Sequence, residues 1–168
     1  AIVTGAGRGI GSGIALTLAK AGADVVINYR RDGAAASAIA AAIKKLGRKA
    51  LAVQCDVTDA DAVVSMVDAA VEYLGKLDLL VNNAGIASRG DTIADTDPAE
   101  MRKVVDTNLF GAFNVLKVAL PHLRQHKRSD VQFISSMSPH ITPVGHGPYA
   151  SAKAALETLA KVLAREEM

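Results

Sequence analysis

Five short, almost wholly apolar runs recur along the chain, and stretches long enough for a helix separate them. AIVT (1–4), DVVINY (24–29), ALAVQC (50–55), LDLLVN (77–82) and VQFIS (131–135) lack the polar–apolar alternation of a strand with one wet face. They read as strands covered on both sides, the habit of parallel sheets. Residues 10–21, 33–46, 59–74, 98–126 and 148–166 carry apolar residues at helical period among Ala, Leu, Lys and Glu. Thr58-Asp59 and Asp97-Pro98 resemble helix starts, the second with Pro in the first turn, while Gly22 and Gly47 resemble helix stops. Strand–helix–strand units of this length cross over right-handed and build a doubly wound parallel sheet of the α/β class, the Rossmann fold. Such sheets bind ligands beyond the carboxyl ends of their strands. The loops that matter are therefore 5–11, 29–33, 55–59, 82–97 and 135–148.

Composition narrows the function. The chain has 168 residues, half of them apolar, and no repeat or low-complexity linker, so residues 1–168 are expected to form one domain with a substantial core. A net charge of +2 with both signs interspersed gives no reason to expect nucleic acid or an anionic membrane surface as partner. The single cysteine, Cys55, excludes an internal disulfide, suits a reducing compartment and reads as buried filler. No run approaches the ~20 apolar residues of a membrane span, and the expected location is cytoplasmic. Both ends are abrupt: Ala1-Ile2-Val3 begins inside a strand and Arg165 to Met168 stops inside a helical pattern. Residues are expected to be lacking there, and the glycine-free junction at Ser129-Asp130 can hide a small gap.

The first strand runs into Thr4-Gly-Ala-Gly-Arg-Gly-Ile-Gly11 and then a helix. Ile10 stands where GxGxxG would place its third glycine, and no Gly-Lys-Ser/Thr follows, so neither that fingerprint nor a P-loop applies. Gly5, Gly9 and Gly11 fit GxxxGxG instead. Glycines let the backbone turn tightly and approach a pyrophosphate at the positive end of the next helix. Gly5, Arg8, Gly9, Ile10 and Gly11 are thus candidate dinucleotide contacts. The second strand ends without the acidic residue that would bond a ribose 2′-hydroxyl. It offers Asn28, Tyr29, Arg30 and Arg31 instead, with Arg8 inside the glycine loop, and guanidinium groups suit a 2′-phosphate. NADP(H) is favoured, and Asp32 leaves NAD(H) open. Asp56-Val57, after the third strand, can accept from an adenine amino group.

Tyr149 and Lys153 are four residues apart in an Ala/Ser-rich helical run, hence on one face. A tyrosine titrates near ~10, and a fixed positive charge nearby favours its phenolate, as acid–base catalysis at neutral pH requires. Ser136, at the end of the fifth apolar run, can hydrogen-bond the substrate oxygen that Tyr149 protonates. Asn108 interrupts the apolar face of a long helix, and Asn82-Asn83-Ala84-Gly85 closes the fourth strand.

TGxxxGxG at 4–11, NNAG at 82–85, a helix Asn at 108, Ser at 136 and YxxxK at 149–153 occur in one order across the whole chain. In this the chain resembles the short-chain dehydrogenase/reductase family. The resemblance implies that Tyr149 is the general acid in carbonyl reduction and the base in alcohol oxidation. It implies that Lys153 holds the nicotinamide ribose and acidifies the tyrosine, and that Ser136 orients the substrate oxygen. Asn108 would kink its helix and hold a water linking Lys153 to solvent. Asn83 and Gly85 would line the adenosine and ribose side of the groove, with Ala84 packed between. Pro139 departs from the family, which often has glycine three residues after the serine, and with Pro143 it stiffens the substrate entrance. With nothing after Met168, the fold and active site are expected to be incomplete at the C-terminal end.

Other signals lead elsewhere. His122 and His126 are i, i+4 on a helix but lack a third ligand or the Glu of HExxH, so no metal is expected and both read as part of an exposed helix end. His140 and His146, before Tyr149, read as solvent-exposed. No GxSxG elbow makes Ser135 or Ser136 a hydrolase nucleophile. The helices 98–120 and 149–164 are apolar around much of their circumference, and a homo-oligomer (dimer or tetramer) would cover them. The leading function is NADP(H)-dependent hydride transfer to a small-molecule carbonyl or from a secondary alcohol. Candidate substrates resemble those of 3-oxoacyl-thioester reductases or sugar and polyol dehydrogenases. The alternative is a cofactor-sensing or binding protein on the same fold.

Overall fold

A computed structural model describes residues 1–167. Five parallel strands, β1 (Ile2–Val3), β2 (Val25–Tyr29), β3 (Ala50–Gln54), β4 (Leu79–Asn82) and β5 (Asp130–Phe133), form one sheet in the order β3-β2-β1-β4-β5. The helices α1 (Gly9–Lys20), α2 (Gly33–Lys45) and α3 (Ala60–Leu74) connect the first four strands. Between β4 and β5 come α4 (Pro98–Val105), a π-helical turn (Asp106–Phe110) and α5 (Gly111–Leu123); α6 (Ser138–Ile141) and α7 (Gly147–Glu166) follow β5. This is the doubly wound α/β fold the apolar runs imply.

Register assigns each strand residue a face. Ile2 lies beside Val26 and Leu80, and these pack with α3 and α5; Val3 lies beside Ile27 and Val81, which pack with α1 and α2. A strand apolar at every position is needed because both faces are covered. The chain steps outward through β1, β2 and β3 and then returns to β4 on the far side of β1. The loops after β1 and β4 therefore diverge and open a crevice between them, the switch point where such sheets take ligands.

The structure corrects three sequence expectations. Among the described residues the run 131–135 is a strand only over Asp130–Phe133, with Asp130 and Gln132 exposed. The single helix expected over 98–126 is interrupted by the π-helical turn. The loop 135–148 contains the short helix α6. Caps agree better: Asp59 and Asp97 accept from first-turn amides, and Gly22 and Gly47 take positive φ just past α1 and α2. Cys55 is buried, and burial pushes its thiol up to about 11, an inert state. Among the described residues no helix is long and apolar enough to cross a membrane.

Candidate active site

The glycine loop is shaped by contacts from both neighbouring strands. Thr4 Oγ1 accepts from the backbone N–H groups of Asn83 and Ala84, each at 2.9 Å, and Asn83 Nδ2 donates to the carbonyls of Thr4 (2.8 Å) and Gly5 (3.3 Å). Asn28 Oδ1 accepts from Gly5 N–H at 3.1 Å, and its Nδ2 donates to the Cys55 carbonyl at 3.0 Å. The ends of β1, β2, β3 and β4 are thereby laced together. Gly5 and Gly9 adopt φ of +62° and +58°. A Cβ on Gly11 would stand 2.5 Å from Asn83 Nδ2 and 2.6 Å from the Gly5 carbonyl, whereas one on Gly9 would meet nothing within 4 Å. The loop is pressed against the protein at Gly11 and open at Gly9. Arg8 is the N-cap of α1 with no side-chain bond to the helix, and the first turn holds no acid. The free amides of that turn therefore face outward under a positive helix end.

At the far end of β2, Tyr29 and Arg30 are half-buried and Arg8 and Arg31 exposed. Arg30 Nη1 lies 3.6 Å from Asp56 Oδ2. Asp56 also accepts from Thr58 N–H and Oγ1; despite burial, which opposes it, these bonds and the nearby guanidinium groups hold the carboxyl below its ordinary range. Asp32 is committed elsewhere, accepting from Ala35 N–H at 2.9 Å as the cap of α2. Val57 is buried, packed near Gly111. Beside this end lies a cavity of about 670 Å³ that Arg30, Asp56, Thr58, Arg102, Lys103 and Phe110 help line.

Asn108 explains the interrupted helix. Its Nδ2 donates at 2.8 Å to the Val104 carbonyl, four residues back, and at 2.8 Å to the Ile86 carbonyl. Taking the acceptor that a backbone amide would use forces the wider π turn. Asn108 is 0% exposed, and its Oδ1 has no hydrogen-bond partner. A Cβ on Gly85 would come 2.5 Å from that oxygen and 3.7 Å from Lys153 Nζ. Lys153, 3% exposed, donates from Nζ to the Ile134 carbonyl at 2.6 Å and lies 5.8 Å from the Tyr149 ring centroid. Burial lowers its pKa from 10.5 to about 8.

Tyr149 stands in the first turn of α7, and its backbone N–H donates to Ser88 Oγ at 3.0 Å. Ser136 Oγ accepts from Ser138 N–H at 3.1 Å and lies 3.2 Å from Ser138 Oγ, which lies 3.2 Å from His146 Nδ1. The His146 ring meets that of Tyr149 edge-on at 6.4 Å. Two turns further along α7, Glu157 Oε1 accepts from Ser135 Oγ at 2.6 Å and lies 3.3 Å from His140 Nε2. His140 and His146 are exposed, yet neither is without a partner. His122 and His126 are half-buried rather than exposed, and among the described residues no three candidate ligands converge on a metal site.

Asn108, Lys153, Gly85 and Tyr149 are thus gathered from the π turn, α7 and the loop after β4, and Ser136, in the loop after β5, is linked toward Tyr149 through Ser138 and His146. Gly5, Gly9, Ile10 and Gly11 form the turn from β1 into α1 beside the loop after β4, with Gly9 and Ile10 exposed and Gly11 buried. Sequence reasoning named Thr4 and Asn28 without giving them a bracing role, and passed over Ser88. A hydroxyl or amide at the last residue of a buried strand would have flagged that role for the first two. Ser88 carries no local signal, since its partner is 61 residues away.

Residues 1–168 match the family model described as short chain dehydrogenase. The versicolorin reductase of Emericella nidulans is 41% identical over 164 residues, covering 98% of this chain and 61% of that protein. The 3-oxoacyl-acyl-carrier-protein reductase of Staphylococcus aureus is 39% identical over 166 residues, 99% of this chain and 67% of that one. The carveol dehydrogenase of Mycobacterium avium, crystallised in complex with NAD, aligns with a TM-score of 0.94 at 28% identity over 98% of this chain and 64% of its own. The chain therefore spans 61 to 67% of the length of these relatives.

Proposed function

The chain belongs to the short-chain dehydrogenase family, and on that footing we propose that it carries the catalytic core of an NADP(H)-preferring oxidoreductase interconverting a carbonyl and a secondary alcohol. The observation that carries this reading is the buried Lys153 ammonium beside Tyr149, with the unpartnered Asn108 Oδ1 next to it. Buried polar atoms are rarely left unpaired without a reason, and burying an ammonium is costly unless the site uses it. A mere binding fold needs neither, which speaks against the sensing alternative.

The residues fit a dinucleotide. The loop open at Gly9 and the uncapped, acid-free start of α1 suit a pyrophosphate. Gly5, Arg8, Gly9, Ile10 and Gly11 would hold it, with Asp56 and Val57 at the adenine and Asn83, Ala84 and Gly85 lining the ribose side. Asn83 contributes by bracing, its amide being spent on Thr4 and Gly5. Tyr29, Arg30 and Arg31 would take the 2′-phosphate, supported by the engagement of Asp32 as a helix cap. The NAD(H) reading keeps one supporting observation, the pairing of Arg30 with Asp56.

A bound nicotinamide supplies or accepts the hydride. The protein manages the proton. Tyr149 gives its phenolic proton to the carbonyl oxygen during reduction and takes it from the hydroxyl during oxidation. The Lys153 ammonium favours the phenolate left behind and would hold the ribose hydroxyls. Ser136 donates to the substrate oxygen and orients it. Asn108 Oδ1 would accept from a water that returns protons toward Lys153. The substrate class is a small ketone, oxoacyl thioester or sugar-like carbonyl. Exposed apolar side chains on the π turn and α5, Phe110 at 53% and Phe113 at 42% exposure, support assembly into a dimer or tetramer.

The test is oxidation of NADPH and NADH by the full-length protein with a panel of ketones, oxoacyl thioesters and quinones, in parallel with Tyr149→Phe. We expect turnover with at least one carbonyl, faster with NADPH, and its loss on Tyr149→Phe with NADPH binding retained. Full activity in Tyr149→Phe would remove the mechanism.

A further inference from the structure

We propose that His146 is a positioning residue for Ser136: acting through Ser138, it determines whether the Ser136 hydroxyl points its proton into the protein or out toward a substrate oxygen. The inference rests on the donor role given to Ser136 under Proposed function. Its basis is a chain of three groups: Ser136 Oγ, Ser138 Oγ at 3.2 Å, and His146 Nδ1 a further 3.2 Å on. Ser138 is 6% exposed, so its hydroxyl has little access to water and must take its partners from this chain. One lone pair of Ser136 Oγ is already occupied by Ser138 N–H.

Counting protons gives the two states. Each hydroxyl has one proton to donate and can accept two. When His146 Nδ1 is an acceptor, Ser138 donates to it and receives the proton of Ser136, which is then turned inward. When His146 is protonated, Nδ1–H donates to Ser138, and Ser138 donates to the second lone pair of Ser136. The Ser136 proton is then left for an acceptor outside the chain, such as a carbonyl oxygen. The imidazolium enforces the outward arrangement, because it has no acceptor to offer.

The charged and titratable neighbours are few. On α7 they are Tyr149, whose ring meets the imidazole edge-on, and Lys153 behind that ring. On α6, His140 lies against Glu157. The loop after β4 crosses at Gly90, against Gly145; there Arg89 is paired with Glu100 and Asp91 is exposed. His146 stands at the N-cap of α7 and is exposed, so its ring can exchange protons with solvent.

The experiment compares the pH profile of kcat/KM for carbonyl reduction in the wild type, His146→Phe, Ser138→Ala and Ser138→Thr, together with an NMR titration of the His146 imidazole. We expect kcat/KM of the wild type to rise severalfold as His146 gains its proton. That rise should vanish in His146→Phe and in Ser138→Ala and return in Ser138→Thr, which restores the hydroxyl. The His146 titration should shift between wild type and Ser138→Ala. Parallel profiles in all four proteins, or an imidazole that titrates identically with and without the Ser138 hydroxyl, would overturn the relay while leaving Tyr149 and Lys153 in place. A wild type with no carbonyl reductase activity would overturn the functional reading itself, and the relay with it.

Discussion

Lys153 is the residue on which the electrostatics of the site turn. It is buried, bonded to one carbonyl, and its ammonium is held only at a cost that lowers its pKa from 10.5 to about 8. Below about pH 8 both folded and unfolded chains hold the proton and the cost is fully present. Between about 8 and 10.5 the unfolded chain still binds it and the folded chain does not, so stability gains as pH rises. Lys153→Met should therefore abolish turnover, and its stability relative to wild type should fall across that window by on the order of 3 kcal/mol. Denaturant unfolding at pH 7 and pH 10 measures this; a constant difference between the two proteins would count against the buried ammonium. Tyr149, Lys153, Ser136 and Asn108 were picked out in the sequence by their order within a family pattern, since their types and spacing alone are common in helices. The partners that hold them were not. Ser88 beneath Tyr149 and Ile134 beneath Lys153 come from distant segments, and His146, exposed as expected, also meets Ser138, a contact the sequence did not show.

Single elements show where periodicity misleads. The run 98–126 keeps helical period throughout, yet Asn108 diverts the Val104 carbonyl and Thr107 Oγ1 bonds that of Lys103, so the helix widens there. Period alone cannot register a side chain that competes with the backbone for an acceptor. The glycines of α1 give a sharper test of what an element tolerates. A Cβ at Gly11 would collide with Asn83 and the Gly5 carbonyl, whereas Gly13, two residues on, has nothing within 4 Å. Gly11→Ala should weaken NADPH binding at least tenfold and destabilise by about 1–3 kcal/mol, the usual range for overpacking. Gly13→Ala should leave binding unchanged and stabilise by roughly 0.5–1 kcal/mol by removing helix-interior glycine entropy. Isothermal titration and thermal melts on the pair test the cradle, and equal effects at both positions would refute it.

At the scale of the whole molecule, exposed aromatic side chains mark the outer helices. Phe110 and Phe113 stay more than two-fifths exposed, a state that favours burial against a second copy, since isolated aromatic side chains bury substantial apolar area. Phe110→Ser with Phe113→Ser should shift sedimentation of the full-length protein from oligomer toward monomer, and a wild type that sediments as a monomer at every concentration would end that reading. The sequence by itself determined the alternation of strand and helix, the parallel doubly wound class and the glycine turn. Each of these is written in residue type and local period, which hydrophobic burial and backbone sterics translate directly. Tertiary structure alone decided that Asn83 and Asn28 would lace four strand ends together, that Ser88 would meet the Tyr149 amide, and that the Ile134 carbonyl would hold Lys153. These depend on which segments meet across long stretches of chain, and a hydrogen bond between distant segments leaves no periodic trace in either of them.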